Sequence, residues 1–539
     1  MMVSDDVPTA PRDQSSFFTR LTRKKKFVCG GIALALLLTA IVVGLSLTNR
    51  TRASPTDSAP TLGAPPGTPA PPLASSGRVK NLVFGLSDGM GPASMTLART
   101  VGSRDSLVLD ALLSGTSRTR SSDSLVTDSA AGATAYASGA KSYNGAIGVD
   151  AKGLPLGTLL EVAQRRGMPV GLVCTSRMTH ATPAAFSAHA LFRDFEQFIA
   201  SQQANLTIDV MLGGGRDKFA ARLDMRNLLA EMASRGVTVL NDATEFRAFA
   251  NDLASKDLRT VKVAGLFTGD HMSYNVDRNS SAEPSLAEMT ALALNVLSAK
   301  AGAAGFFLMV EGSRIDMAAH DNDASTQVGE VLAYDEAIGT VLEFIKREPD
   351  TLLVSTSDHE TGGLSLGLRN VSLGAKVIYN WYPERLRAAK RSAFATSRLI
   401  ATSDDAAIPS LVRDYVGADL SADEAQKYVD LKANGTSEFV MMLQLGNDQA
   451  RRSLLGWSTT GHSGVDVNLY AAGRGAERFR GSLENTQVGQ RMAEALGLWD
   501  DLLAHTEWLR ANSTLDLTSG AAHMKRDVDL HHNHEQQQL

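Results

Sequence analysis

Cysteine is almost missing from this sequence. Two occur among 539 residues, Cys29 inside an apolar segment and Cys174 inside a run that reads as a buried strand. That excludes a disulfide scaffold, no bond between the two is expected, and the count leaves the redox compartment open. An excess of one charge sign is missing too. The net charge is −5 with no basic stripe, which argues against nucleic acid as a partner. What is present is ordinary for a globular chain with a substantial core, 43% hydrophobic and 21% charged residues. Length alone suits one large domain or two.

The N-terminal region is more specific. Arg20, Arg23, Lys24, Lys25 and Lys26 precede an uncharged, mostly apolar run from Phe27 to Leu47. Such a run is about long enough to cross a bilayer as a helix and too long for the core of an ordinary signal peptide. The basic cluster before it favours a cytoplasmic N-terminus, with the rest of the chain luminal or extracellular. A cleaved signal peptide is the alternative. Ala53 to Gly77 is rich in Pro, Ala, Ser, Thr and Gly, a composition that reads as an extended stalk. The expected organisation is therefore a cytoplasmic tail (1–26), a transmembrane signal anchor (27–47), a Pro-rich stalk (48–78), a folded domain (79–515) and a polar C-terminal tail (516–539). Triplets at Asn205, Asn279, Asn370, Asn434 and Asn512 fit N-glycosylation on the luminal side.

Inside the folded region, short apolar runs alternate with helical patterns, which predicts an α/β layered fold. Several strand candidates end in chemistry-bearing residues. Lys80–Leu86 runs into Asp88, and Phe306–Val310 into Glu311. The chain then turns at Gly312, and Ser313 is placed to cap a helix carrying Asp316 and His320 four residues apart, on one helical face. Thr351–Ser357 ends in Asp358 and His359, and His462 sits in a Gly-rich loop before a strand at Val465–Tyr470. Ser129 opens an alanine-rich helix, where backbone N–H groups and the dipole favour an anion. Each fragment alone also reads as a turn, a cap or a chance pair. Carboxylates and imidazoles at strand ends suit a divalent metal. The stretch from about Trp381 to Trp457 is mostly helical, with Ser421 and Glu424 spaced as a capping box, and reads as an excursion from the sheet.

Taken together and in this order, Ser87-Asp88-Gly89-Met90-Gly91, Asp128-Ser129-Ala130-Ala131, His180-Ala181-Thr182-Pro183, the Glu311/Asp316/His320 spacing, Ser357-Asp358-His359-Glu360 and Gly461-His462-Ser463-Gly464 resemble the alkaline phosphatases. The resemblance covers Val79 to about Leu498, and the N-terminal anchor is similar to that of membrane-bound vacuolar members from fungi. It implies a three-layer α/β/α sandwich around a large, mostly parallel sheet, with a helical insertion near 380–457 and an N-terminal transmembrane helix. It implies two zinc ions and one magnesium. Asp316, His320 and His462 would hold one zinc, Asp358 and His359 the other, and Asp88 would bridge that zinc to a magnesium held also by Thr182 and Glu311. Ser129 would be the nucleophile, forming a phosphoserine, and Arg193 would grip the phosphate.

Two positions depart from the family pattern. His180, beside the magnesium ligands, replaces an acidic residue of some bacterial members, and Met317 stands where many members carry His or Lys. The implied substrates are phosphate monoesters of broad structure, phosphoproteins and phosphopeptides among them. The implied context is a homodimeric, single-pass type II protein of the vacuolar membrane. A phosphodiesterase or another member of the same metalloenzyme superfamily is the alternative. The Cys-x-Pro-x-Arg-like motif of sulfatases does not fit Ser129-Ala130-Ala131-Gly132.

Overall fold

The computed structural model describes residues 79–368, 379–417 and 419–512. The expected anchor, stalk and both terminal tails lie outside the described residues, as do Cys29 and Asn370. Among the described residues, no helix is long and apolar enough to cross a membrane.

Among the described residues twelve strands follow in chain order: β1 (Asn81–Leu86), β2 (Leu113–Arg118), β3 (Val170–Arg177), β4 (Val210–Gly214), β5 (Thr238–Leu240), β6 (Val263–Leu266), β7 (Phe307–Glu311), β8 (Thr351–Thr356), β9 (Glu360–Thr361), β10 (His462–Ser463), β11 (Val467–Gly473) and β12 (Gly481–Glu484). Ten form one mixed sheet in the order β12-β2-β11-β8-β1-β7-β3-β4-β6-β5, and β9 with β10 forms a small separate ladder. From β8 to β5 every pairing is parallel. β11 runs antiparallel to both its neighbours, β2 and β8.

This topology decides where the chemistry gathers. Leu86 of β1 is level with Glu311 of β7 and Thr356 of β8, and Glu311 is level with Cys174 of β3. Three parallel strands, β1, β7 and β8, thus end at one height beside β3, and Asp88, Glu311 and Asp358 emerge side by side at the carboxyl edge, where open α/β sheets bind ligands. Because β11 is reversed, its beginning lies at that same edge. His462, just before it, arrives there from the opposite chain direction.

Helices cover both faces of the sheet. Alternate residues of β1 enter different cores, with Leu82, Phe84 and Leu86 in one cluster and Val83 in the other. Phe84 packs at 5.4 Å from Tyr136 and 5.7 Å from Phe186. Tyr136 belongs to the helix Ser129–Ser138, and Phe186 to the helix Ala181–Ser187 that carries Thr182. Burying each such ring stabilises the fold by roughly 1.5–3 kcal/mol and sets two functional helices against β1. The Tyr136 hydroxyl also donates to the Ser357 carbonyl at 2.9 Å, joining the Ser129 helix to the strand end that presents Asp358.

The excursion between β9 and β10 is helical, as expected. Four of its helices, Ala393–Thr402, Ile408–Val416, Ala422–Ala433 and Glu438–Arg452, enclose a small core of their own around Ile400, Val412, Tyr415, Tyr428 and Leu445. The Ser421/Glu424 capping box is formed. Some local expectations need correction. Ser313 sits at the helix start but makes no cap bond; its hydroxyl accepts from Thr175 N and Ser176 N at 3.2 and 3.0 Å, tying the end of β7 to β3. The last sheet strand on this side begins at Val467 instead of Val465.

Candidate active site

Asp88 lies two residues past β1, on a turn that needs Gly89 at φ +70°. Both Asp88 oxygens are fully buried without any hydrogen-bond partner. Asp358 Oδ1 accepts from Gly89 N at 3.3 Å and from His359 N at 3.1 Å, while its Oδ2 has no partner. Glu311 Oε1 and Thr182 Oγ1 are likewise buried and unpartnered. Burial, and after it the charges of Asp358, Asp316 and Glu311, push Asp88 well above the ordinary carboxylate range. Burial raises Asp358 and Glu311 in the same sense.

Three imidazoles converge on these acids with their tautomers set from outside. His320 Nδ1 donates to the Thr460 carbonyl, and His462 Nδ1 to the Thr127 carbonyl at 2.8 Å. His359 Nδ1 faces the Thr361 hydroxyl at 3.2 Å, and that hydroxyl in turn donates to Asp316 Oδ1. Each Nε2 is therefore left with its lone pair toward the centre, the arrangement in which a protein acceptor orients a metal-binding histidine. His320 Nε2 lies 3.3 Å from Asp316 Oδ2 and 3.1 Å from His462 Nε2; His462 Nε2 lies 3.7 Å from Asp316 Oδ1. Two facing lone pairs require a cation or a proton between them. Without metal a proton stands in. Burial opposes it, but Asp316 outweighs burial and raises His320 to about 9.

Three clusters result: Asp316 with His320 and His462, Asp88 with Asp358 and His359, and Asp88 and Glu311 beside His180. Four buried carboxylates, three of them with orphaned oxygens, and three inward-facing imidazole nitrogens form a donor set of O and N atoms that fits divalent cations.

Ser129 is buried at the first position of its helix, and its Oγ lies 3.2 Å from His359 Nε2. The residue before it, Asp128, carries two tasks. Its Oδ1 caps the helix by accepting from Ala131 N at 3.0 Å, and its Oδ2 accepts from Gly145 N at 2.9 Å and from Arg193 Nη1 at 3.1 Å. Arg193 Nη2 donates to His180 Nε2 at 2.9 Å, which leaves the proton of His180 on a buried, unpartnered Nδ1. Burial and then the Arg193 charge hold His180 well below its ordinary value. The guanidinium is thus held between the residue before Ser129 and His180, which clusters with Asp88 and Glu311. Met317 is half-buried on the helix between Asp316 and His320.

The site candidates Asp88, Ser129, His180, Thr182, Arg193, Glu311, Asp316, His320, Asp358, His359 and His462 come to this one edge. Asp128 and Thr361 were not among them. Asp128 reads in sequence as an ordinary helix cap, and no spacing signals its pairing with Arg193, 65 residues away.

A family model of alkaline phosphatases matches residues 79–498. The chain is 38% identical over 517 residues to the repressible alkaline phosphatase of Saccharomyces cerevisiae, covering 85% of this chain and 89% of that one. It superimposes on the cold-active alkaline phosphatase of a psychrophilic Shewanella species with a TM-score of 0.68 at 33% identity, covering 77% of this chain and 99% of the other. A variant of the alkaline phosphatase from the Antarctic bacterium TAB5, solved with Mg bound in its M3 site, aligns with a TM-score of 0.56 at 28% identity, over 78% of this chain and 98% of that one.

Proposed function

This chain belongs to the alkaline phosphatase family and is a phosphomonoesterase, and from that premise we propose that it works by two displacements through a phosphoserine on Ser129. The observation that carries this reading is the buried Ser129 hydroxyl at a helix start, beside His359 and directly after Asp128, which binds the Arg193 guanidinium.

The family is metal-dependent, and the donor set fits. We assign one zinc to Asp316, His320 and His462, a second to Asp358 and His359, and a magnesium to Thr182 and Glu311, with Asp88 shared between the last two sites. His180, which lies beside the magnesium group, orients Arg193. When bound, these cations supply positive charge against the phosphate dianion and lower the cost of a serine alkoxide.

The remaining roles fall to the chain itself. Arg193 binds Asp128 through Nη1 and His180 through Nη2, and the remaining N–H groups of its planar fork are suited to phosphate oxygens. Asp128 and His180 hold that fork in place before substrate arrives. Ser129 Oγ attacks phosphorus as the bond to the ester oxygen breaks, releasing the alcohol. Water then attacks phosphorus from the side the alcohol left, opposite Ser129 Oγ, the Ser129–phosphorus bond breaks, and inorganic phosphate leaves. Nothing in this scheme binds the alcohol portion, so broad use of monoesters is expected. Trapping covalent phosphate on Ser129 in acid-quenched enzyme tests the reading, and its absence from an active preparation contradicts it.

On sequence grounds alone we also propose that residues 27–47 anchor the chain, with the catalytic domain luminal, at the vacuolar membrane, and with two chains forming a dimer. Protease digestion of sealed vesicles with the cytoplasmic side outward tests the orientation; loss of activity there contradicts it. Sedimentation of the detergent-solubilised protein tests the dimer.

A further inference from the structure

A second cluster of buried titratable groups lies away from the metal ligands. Glu161, on the helix Leu159–Arg165, is held by its Oε1 to His189 Nε2 at 3.0 Å; its Oε2 lies 3.5 Å from His505 Nε2 and accepts from Thr158 N at 3.0 Å. His189 Nδ1 lies 2.8 Å from the Gly148 carbonyl. Both ring nitrogens of His189 therefore face acceptors, and only the imidazolium satisfies both. The side chains are 4%, 11% and 6% exposed for His189, Glu161 and His505, so an unpaired charge here is costly. His505 comes from the helix Trp499–Asn512, which follows the matched family region and is fastened by Thr506 Oγ1 to Gly157 N at 2.8 Å and by Arg510 to Asp150 at 2.8 Å.

The position of His189 gives this cluster a consequence. Residues 145–148 and 188–193 run beside each other. Ile147 and Ala190 exchange two backbone hydrogen bonds of 2.9 Å. At one end His189 holds Gly148. At the other end Arg193 N donates to the Gly145 carbonyl at 2.7 Å, while Gly145 N donates to Asp128 Oδ2, the oxygen that also binds the Arg193 guanidinium. The ribbon that fixes where Arg193 begins is thus anchored at its far end on a buried carboxylate.

We infer that Glu161 and His189, braced by His505, are positioning residues for Arg193, setting the phosphate grip from the C-terminal helix. The inference rests on the assignment of Arg193 to phosphate. It carries a pH dependence. The groups facing His189 are the Glu161 carboxylate, with His505 on that carboxylate's far side, and the neutral Gln202 carboxamide, which bonds the His189 backbone. Burial lowers His189, but Glu161 outweighs it and the net shift is upward. With both ring nitrogens against acceptors the imidazolium is the favoured form, and it is lost as pH rises through this raised value, leaving a ring nitrogen lone pair against an acceptor. Phosphate affinity should weaken over that rise.

The test is a double-mutant cycle on metal-loaded enzyme, reading inhibition by inorganic phosphate, zinc content and the pH profile. Glu161→Gln is expected to weaken phosphate inhibition about tenfold with zinc unchanged, since small displacements of a positioning group have large effects. It should also move the alkaline weakening to lower pH, because the imidazolium has lost its counter-charge. In an Arg193→Ala background the same change should have no further effect. His505→Leu, which keeps the Glu161–His189 pair, is expected to weaken phosphate inhibition about threefold and His505→Gln to restore it; this pair of variants carries the test if Glu161→Gln does not fold. Unchanged phosphate inhibition in the folded variants, or an equal effect with and without Arg193, overturns the inference while leaving the Arg193 assignment intact. Wild-type phosphate inhibition in Arg193→Ala overturns that assignment and the inference with it.

Discussion

The hydroxyl of Ser129 lies 3.2 Å from Nε2 of His359. The two residues are 230 positions apart and reach each other because β8 ends beside β1, while Tyr136 pins the Ser129 helix to the end of β8. The same nitrogen is 3.5 Å from Asp88 and 3.3 Å from Asp358, so nucleophile and proposed metal ligands occupy one small volume.

Replacing Ser129 with alanine should therefore remove catalysis and little else. A loss of at least about a thousandfold in kcat is expected for a nucleophile. Alanine is a good helix former at that position, so the melting temperature and metal content should stay near those of the parent. Near-normal turnover in Ser129→Ala contradicts the assignment.

Metal removal should cost both activity and stability. The intact enzyme should bind two zinc ions and one magnesium, measurable by elemental analysis. Raised carboxyls at Asp88, Asp358 and Glu311 stabilise the metal-free fold less as pH climbs from their ordinary values near 4 through their raised ones, because the folded chain must then bury their charge. The Asp316–His320 pair acts in the same direction, its contribution being lost as pH passes about 9. The difference in melting temperature between metal-loaded and metal-free protein should therefore widen from pH 5 to pH 9. A gap that narrows contradicts the ligand assignment.

Arg193 and Asp128 should behave as a pair. A charge-assisted hydrogen bond is worth about 1.5–3 kcal/mol, so Arg193→Ala should lower kcat/KM by about 10- to 100-fold and weaken phosphate inhibition, with zinc retained. Arg193→Lys should not restore it, because an ammonium cannot offer two parallel donors. Asp128→Ala should weaken phosphate inhibition and also lose about 1 kcal/mol of stability through the missing helix cap. Steady-state kinetics with denaturation curves separate the two effects.

Gly89 offers a purely geometric test. Its φ of +70° strains any other residue, and an added Cβ would stand 2.7 Å from the backbone and side chain of Asp316. Gly89→Ala should destabilise by about 1–3 kcal/mol and weaken zinc retention together. Zinc affinity equal to the parent's shows that this turn does not set the site.

Much of this arrangement is legible in the sequence, and the rest is hidden for identifiable reasons. The uninterrupted apolar runs of β1, β7 and β8 announce strands buried on both faces, and the residues after them announce the carboxyl edge. β2 gives no such signal, because Leu113–Arg118 is polar and partly exposed, and β12 is only four residues long. Ser313 is misleading, since a serine before a helical pattern signals a cap, whereas long-range packing against β3 claims its hydroxyl instead. Helix capping reveals Asp128, but its bond to Arg193 depends on the register of two loops. The tautomers of His320 and His462 depend on carbonyls at Thr460 and Thr127, contacts no local pattern can show.

The central claim is the covalent phosphoserine, and stereochemistry at phosphorus tests it most directly. A monoester made chiral with oxygen isotopes is hydrolysed or transferred to an acceptor alcohol, and the configuration of the product phosphate is determined. Two in-line displacements through Ser129 predict overall retention. Overall inversion, the mark of a single direct attack by water, contradicts the account.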